Sequence, residues 1–370
     1  MPEEKVNRRQ KISQDIKDLE DEISKTKYNK KTQHHIGLVK AKIARLKEKR
    51  QGGSSGKSEG FAVRKTGDGT VVLLGFPSVG KSTLLNAMTN AHSRVGAYAF
   101  TTLTCIPGLL EYKHAKIQVL DVPGIVEGAA AGTGRGKEVL QVLRSANMAL
   151  IILDVFSPEH YPVILKEVYD TDIRLDQRRP DVRITKTARG GIRVGKTVKL
   201  DMTDETIVSI MKEFRINNAE VLIRTYINED QLIDIIEGNK HYIPKIVIAN
   251  KVDMATQKDI ENFKKMVVPD LFLSAETHIG IEELKEIIFE KLNFIRVYLK
   301  EINKKADMQV PMIMFKGCTI RDVCEKLHRD FIDKFRFARI WGKSAKFEAM
   351  KVMKPDHKLM DGDIVELHMK

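Results

Sequence analysis

"GFPSVGKS", Gly75 to Ser82, follows the apolar run "TVVLL" and leads into "STLLNAM". It matches G-x-x-x-x-G-K-[ST] between an expected strand and an expected helix, the context that this motif requires. Gly75 and Gly80 permit the tight backbone, and its N–H groups and the helix N-terminus would bind phosphate oxygens. The expected cradle is Gly75, Phe76, Pro77, Ser78, Val79, Gly80, Lys81, Ser82 and Thr83. Lys81 would reach the β- and γ-phosphates, and Ser82 would hold Mg²⁺. Around it, "KIQVLDV", "MALIILDV" and "PKIVIANK" read as strands rich in Val, Ile and Leu that alternate with helices. That pattern predicts an α/β fold with a parallel sheet.

Companion motifs sit where such strands end. In "DVPG", 121–124, Asp121 would contact Mg²⁺ through water, and the Gly124 N–H would sense the γ-phosphate, with Val122 and Pro123 between them. In "NKVD", 250–253, the Asp253 carboxylate can accept two hydrogen bonds from guanine. Adenine would leave that carboxylate unpaired, so a site built this way rejects the wrong base strongly. Lys251 would lie along the base beside Val252, and Asn250 would brace the phosphate loop. In "SAE", Ser274, Ala275 and Glu276, the Ala275 N–H would face guanine O6. Within "GAYAFTTLTCIPG", after Phe100, either Thr101 or Thr102 would complete the Mg²⁺ shell and let go on hydrolysis.

The chain has 370 residues, enough for two or three domains, and is 42% hydrophobic. No apolar run approaches a membrane span, and "MPEEKVNRRQ" argues against export. The three cysteines, Cys105, Cys318 and Cys324, show no metal-ligand pattern and suit a reducing cytoplasm as buried, inert thiols. The formal net charge of +13 points to a polyanionic partner. The excess gathers in the first fifty residues, in "IRLDQRRPDVRITKTARGGIRVGKTVK" and in the tail beyond Lys326, which fits a large RNA surface.

Organisation follows from composition and period. Residues 1–50 read as a basic helical hairpin, from Ile12, Ile16, Leu19 and Ile23 and from Ile36, Val39, Ile43 and Leu46. It is expected to pack on itself or on a partner. "QGGSSGKSEG", 51–60, reads as a linker. Asp121 and Asn250 stand 129 residues apart, where two strand–helix steps take ~60. The surplus is placed at 160–238 as an inserted α/β domain, leaving 61–159 and 239–295 as a split phosphate-binding domain. Inside the insert, "RITKTARGGIRVGKTVKL" reads as a β-hairpin turning at Gly190–Gly191. The tail 296–370 closes with a tight turn and strand in "KLMDGDIVELHMK".

With these motifs together, "GFPSVGKSTLLNAMTNAHSRVGAYAFTTLTCIPG" resembles the Obg superfamily of translation-linked GTPases. Within that group the whole chain is similar to the developmentally regulated GTP-binding (DRG) proteins. The resemblance implies a P-loop GTPase domain, an inserted segment of ribosomal-protein-like fold, and a C-terminal TGS domain of β-grasp type. It implies Thr102 as the Mg²⁺ ligand beside Thr101, so the metal set is Ser82, Thr102 and Asp121 and the catalytic set Lys81, Thr102 and Gly124. The TGS domain implies a partner class, RNA or the ribosome, rather than a reaction.

Ile125 follows Asp-x-x-Gly where small signalling GTPases often carry a water-orienting Gln. A hydrophobic residue there agrees with the Obg group, and positioning with charge stabilisation alone supports slow turnover. The missing help would come from a K⁺ ion coordinated by the switch backbone and Ser78. Relatives using this device often carry Asn at the position of Ser78. Alternatively a ribosome or regulatory protein would remodel "GAAAGTGRG", or Arg135 would act in cis. The expected function is a cytoplasmic, Mg²⁺-dependent GTPase cycling between GTP and GDP, acting on the ribosome, rRNA, tRNA or translation factors. The alternatives are an RNA-binding scaffold that uses GTP as a structural ligand, an ATP-binding relative, against which Asp253 argues, and a membrane-surface switch, for which no lipidation signal stands.

Overall fold

The computed structural model describes residues 2–29, 32–51, 67–89, 106–122, 142–328 and 330–369. In chain order these form α1 (Pro2–Lys25), α2 (Gln33–Gln51), β1 (Gly69–Leu74), α3 (Lys81–Met88), β2 (Ile106–Tyr112), β3 (Ala115–Asp121), β4 (Met148–Asp154), α4 (His160–Asp170) and β5 (Ile173–Leu175). Next come β6 (Val182–Lys186), β7 (Ile192–Lys196), α5 (Asp204–Glu213), β8 (Ala219–Ile223), α6 (Glu229–Glu237), β9 (His241–Ile243), β10 (Lys245–Asn250), α7 (Gln257–Met266), β11 (Leu271–Phe272) and α8 (Ile281–Lys291). The last are β12 (Phe294–Leu299), β13 (Met312–Phe315), α9 (Ile320–Leu327), α10 (Asp330–Asp333), β14 (Phe335–Trp341), β15 (Met350–Val352) and β16 (Asp363–Met369). By packing they divide into two units, Met1–Gly60 with Gln177–Tyr242, and Phe61–Asp176 with Ile243–Lys370.

The larger unit is built on a six-stranded sheet in the order β11-β10-β4-β1-β3-β2. All pairs are parallel except β2 with β3 at one edge. Alternate residues of a strand point to opposite faces. Val71, Leu73, Leu150 and Ile248 therefore pack with α3 and α8, while Val72, Leu74, Ile151 and Val247 pack with α4 and α7. Both faces are covered, which is why these strands read as unbroken apolar runs.

A second sheet follows, in the order β13-β12-β16-β14-β15, with α9 over its core. β12 runs parallel to β16 and the other pairs are antiparallel, the mixed pattern of a β-grasp. A Thr319–Asp322 capping box starts α9, which buries Ile320, Val323 and Cys324. Burial pushes the Cys318 thiol up to about 11, so it stays protonated at neutral pH. This sheet is fused to the GTPase core. Ile313 belongs to the core of the six-stranded sheet, the Phe294 ring lies 5.7 Å from Phe289 and 5.1 Å from Phe315, and Lys326 Nζ sits 2.6 Å from Asp68.

The expected insert boundary at 160 needs correction. Ile164 and Val168 of α4 are buried in the core of the large sheet, and the separate unit begins at Gln177 and ends at Tyr242. The apolar face of α4 needs the sheet to cover it, so the helix stays with the GTPase domain although the strand rhythm breaks beside it.

In the smaller unit, Ile16, Val39 and Ile43 join α1 to α2. Helix α2 also packs on the insert. Ala41 is fully buried with Ile207 and Ile210, Lys40 Nζ lies 2.7 Å from Asp230, and Arg45 lies 2.9 Å from Glu213. The expected β-hairpin is not formed. The sheet order is β6-β8-β7, with β8 antiparallel to β6 and parallel to β7. In β8, Ala219, Val221 and Ile223 are buried, whereas β6 and β7 alternate half-buried with exposed residues. The strand with most to bury takes the centre. The expected linker 51–60 lies outside the described residues. Among the described residues no helix is long and apolar enough to cross a membrane.

Candidate nucleotide site

Three motifs converge at the carboxyl edge of the large sheet, where open α/β sheets bind ligands. The phosphate loop follows β1, Asp121 ends β3, and Asn250 ends β10. A side chain at Gly75 would place Cβ 2.6 Å from the Ile152 carbonyl, and at Gly80, with φ of +91°, 2.5 Å from the Asn250 amide. The loop therefore tolerates no Cβ at either glycine. Ser78 adopts φ of +63°, a region that Asn enters more easily than Ser.

Lys81 Nζ donates to the carbonyls of Gly75 at 2.9 Å and Phe76 at 2.8 Å, so the ammonium lies folded over the loop. Pro77, Ser78, Ser82 and Thr83 are exposed, while Val79 is buried. The Phe76 ring stacks on His160 at 4.0 Å, and His160 Nδ1 is buried with no partner.

Ser82 Oγ donates to Asp121 Oδ2 at 3.1 Å. Asp121 Oδ1 is buried and has no hydrogen-bond partner. An orphaned buried carboxylate oxygen beside a hydroxyl suits a hard cation with oxygen ligands. Among the described residues no group of three or more His, Cys, Asp or Glu gathers elsewhere. Mg²⁺ fits this sparse donor set, since it keeps waters and substrate phosphates as its remaining ligands.

On the base side, Asn250 is 3% exposed and ties two loops together. Its Nδ2 donates to the Val79 carbonyl and its Oδ1 accepts from the Ala275 N–H, both at 2.9 Å. This alters the expectation for Ala275, whose N–H is turned to Asn250 rather than toward a base. Lys251 holds φ of +69°, and its Nζ lies 2.7 Å from Asp154 Oδ2. Asp154 Oδ1 accepts from the Phe156 N–H at 3.0 Å. Val252 is half-buried, and the Asp253 carboxylate is exposed in a short 3₁₀ turn. Ser274 is fully buried and Glu276 exposed. Val122, just after Asp121, is buried in the core. Phe100, Thr101, Thr102, Pro123, Gly124, Ile125 and Arg135 lie outside the described residues.

Sequence reasoning missed Asp154 and His160. Asp154 ends β4 at the same sheet edge as Asp121 and Asn250, and that shared position was a signal open to reading. His160 carried none, because its place beside Phe76 depends on how α4 docks.

A family described as "50S ribosome-binding GTPase" matches residues 70–186, the C-terminal region of that domain matches 189–294, and a TGS domain matches 295–369. The chain is 51% identical to a GTP-binding protein of Methanocaldococcus jannaschii, over 97% of this chain and 93% of that one. It is 42% identical to developmentally-regulated G-protein 3 of Arabidopsis thaliana, over 97% and 99%. It is 38% identical to developmentally-regulated GTP-binding protein 2 of Bos taurus, over 97% and 100%. Identity at this level over nearly the full length shows that the chain belongs to the developmentally regulated GTP-binding proteins.

Proposed function

We propose that the chain hydrolyses GTP to GDP and phosphate with Mg²⁺, slowly when alone, and that the nucleotide governs its binding to the ribosome or translation factors. The observation that carries the reading is the orphaned Asp121 oxygen beside Ser82, at the end of the loop braced by Asn250. Ser82 and Asp121 would hold Mg²⁺ with Thr102, and the ion supplies charge stabilisation for the transferring phosphoryl group. Lys81 would leave the carbonyls of Gly75 and Phe76 for the β- and γ-phosphates, exchanging neutral acceptors for anionic ones. Asp253, exposed and without an ion pair among the described residues, would read guanine, while Lys251 lies along the base under the hold of Asp154. The Gly124 N–H would sense the γ-phosphate. Because Ile125 cannot orient water, the remaining catalytic charge would come from K⁺ or from a bound partner.

GTP turnover measured in K⁺ and in Na⁺ buffer, each with and without ribosomes, tests the reading. Turnover stimulated by K⁺ alone assigns the charge to a bound ion, and turnover only with ribosomes assigns it to the partner. No turnover in any condition, with GTP still bound, would make GTP a structural ligand of an RNA-binding scaffold. Lys81→Ala is expected to lower GTP affinity at least a hundredfold, about 2.7 kcal/mol, and unchanged affinity would remove the cradle assignment.

A further inference from the structure

Residues 177–199 hold eight Lys and Arg against one acid, Asp181, a large share of the chain's positive excess. All eight are exposed. Lys196 pairs with Asp204, and Asp181 is taken by Arg224. Arg178, Arg179, Arg183, Lys186, Arg189 and Arg193 have no ion pair among the described residues. Elsewhere in the same unit Lys40 pairs with Asp230, Arg45 with Glu213 and Lys47 with Glu20.

Register says which of these share a face. Ile184, Val221 and Val194 form one row and pack inward. The alternate rows, Arg183–Leu222–Gly195 and Thr185–Glu220–Arg193, point outward. Arg183 and Arg193 stand two strands apart, about 10 Å across the sheet. Between them the central strand presents Leu222 and the exposed Glu220, and Gly195 beside Arg193 carries no side chain.

We propose that this outer face docks the sugar–phosphate backbone of duplex RNA. The face presents Arg183 and Arg193 around the single acid Glu220, with Arg178, Arg179 and Arg189 in the adjoining loops, and guanidinium forks match phosphate oxygens bidentately. Strands β6, β7 and β8 carry no aromatic residue, so the face lacks a platform for unpaired bases. It also lacks the exposed large apolar anchors that a protein hot spot or an inserting membrane helix uses. What remains is shape and charge, the terms by which RNA helices are recognised. The inference rests on the proposed ribosome or RNA partner and assigns that partner's contact surface.

The test uses the full-length protein and fluorescence anisotropy with a short labelled RNA duplex, its separate strands, an acidic peptide and anionic vesicles. The duplex is expected to bind more tightly than either strand, the peptide or the vesicles. Arg183→Glu with Arg193→Glu is expected to weaken duplex binding at least tenfold and to flatten the salt dependence by about one unit of slope per arginine. Lys258→Glu with Lys265→Glu, an equal charge change on α7, is expected to leave it unchanged. Circular dichroism and resistance of residues 177–242 to proteolysis report an intact fold of each variant. Equal duplex binding by the double variant, or tighter binding to the strands, peptide or vesicles, overturns the assignment. Ribosome pelleting of the unaltered protein separates the two failures. Pelleting without duplex binding sinks this surface alone, and loss of both sinks the partner reading as well.

Discussion

Asp154 shows how one residue can matter without carrying a motif. Its carboxylate spans the Phe156 N–H and the Lys251 ammonium, and both side chains are partly buried. Asp154→Asn keeps the shape and removes the charge, so Lys251 loses its hold. Affinity for GTP and GDP should fall together by about three- to tenfold, the scale of a partly screened charge-assisted bond. The preference for guanine over adenine should persist, because base reading is assigned to Asp253. Titration calorimetry with both nucleotides and their adenine counterparts checks this; a drop in base preference would transfer the role to Asp154. The phosphate loop, Asp121 and Asn250 were legible because each motif is local and ends a strand. Asp154 also ends a strand, but its pairing with Lys251 could not be read, because it exists only where β4 and β10 lie side by side.

At the scale of elements, legibility tracked covering surfaces. The strands of the large sheet were read as apolar runs because both of their faces are buried. The hairpin reading of β6 and β7 failed because the central strand, β8, comes more than twenty residues later and gives no local sign of slotting between them. Helix α2 shows the same effect, since its packing partner lies far along the chain. Gly37 lets it approach, for a Cβ there would sit 3.3 Å from Thr206, Ile210 and Glu229. Gly37→Leu should push α2 off α5 and α6 at a cost of about 1–3 kcal/mol or more. The expected result is faster proteolysis within residues 1–50 with GTP affinity unchanged. Unaltered proteolysis would show that the hairpin is held elsewhere.

For the molecule as a whole, the β-grasp sheet is a structural member of the GTPase body. Across the boundary expected near 296, Ile313 lies in the core of the large sheet and Phe294 would collide with any side chain at Gly69. The seam was illegible because both of its sides are ordinary apolar residues. Removing 306–370 takes away Ile313, Phe315 and the Lys326 partner of Asp68 together. Loss of a buried aliphatic residue costs about 2–5 kcal/mol, which should lower the Tm of the remaining GTPase core by roughly 5–15 °C. Differential scanning calorimetry with saturating GDP measures it, and an unchanged Tm would show the two domains to be independent. Ribosome pelleting of such a truncation reports lost partner contact only after this drop in stability is allowed for.

The β6-β8-β7 order has a kinetic side. Five residues separate β6 from β7, a loop short enough to close as a hairpin within microseconds. Strand β8 must find its place across a longer closure, which is entropically later. A β6–β7 pair that closed first would have to part to admit the third strand, so the hairpin that the sequence suggests to a reader is a competitor of the pairing the fold keeps.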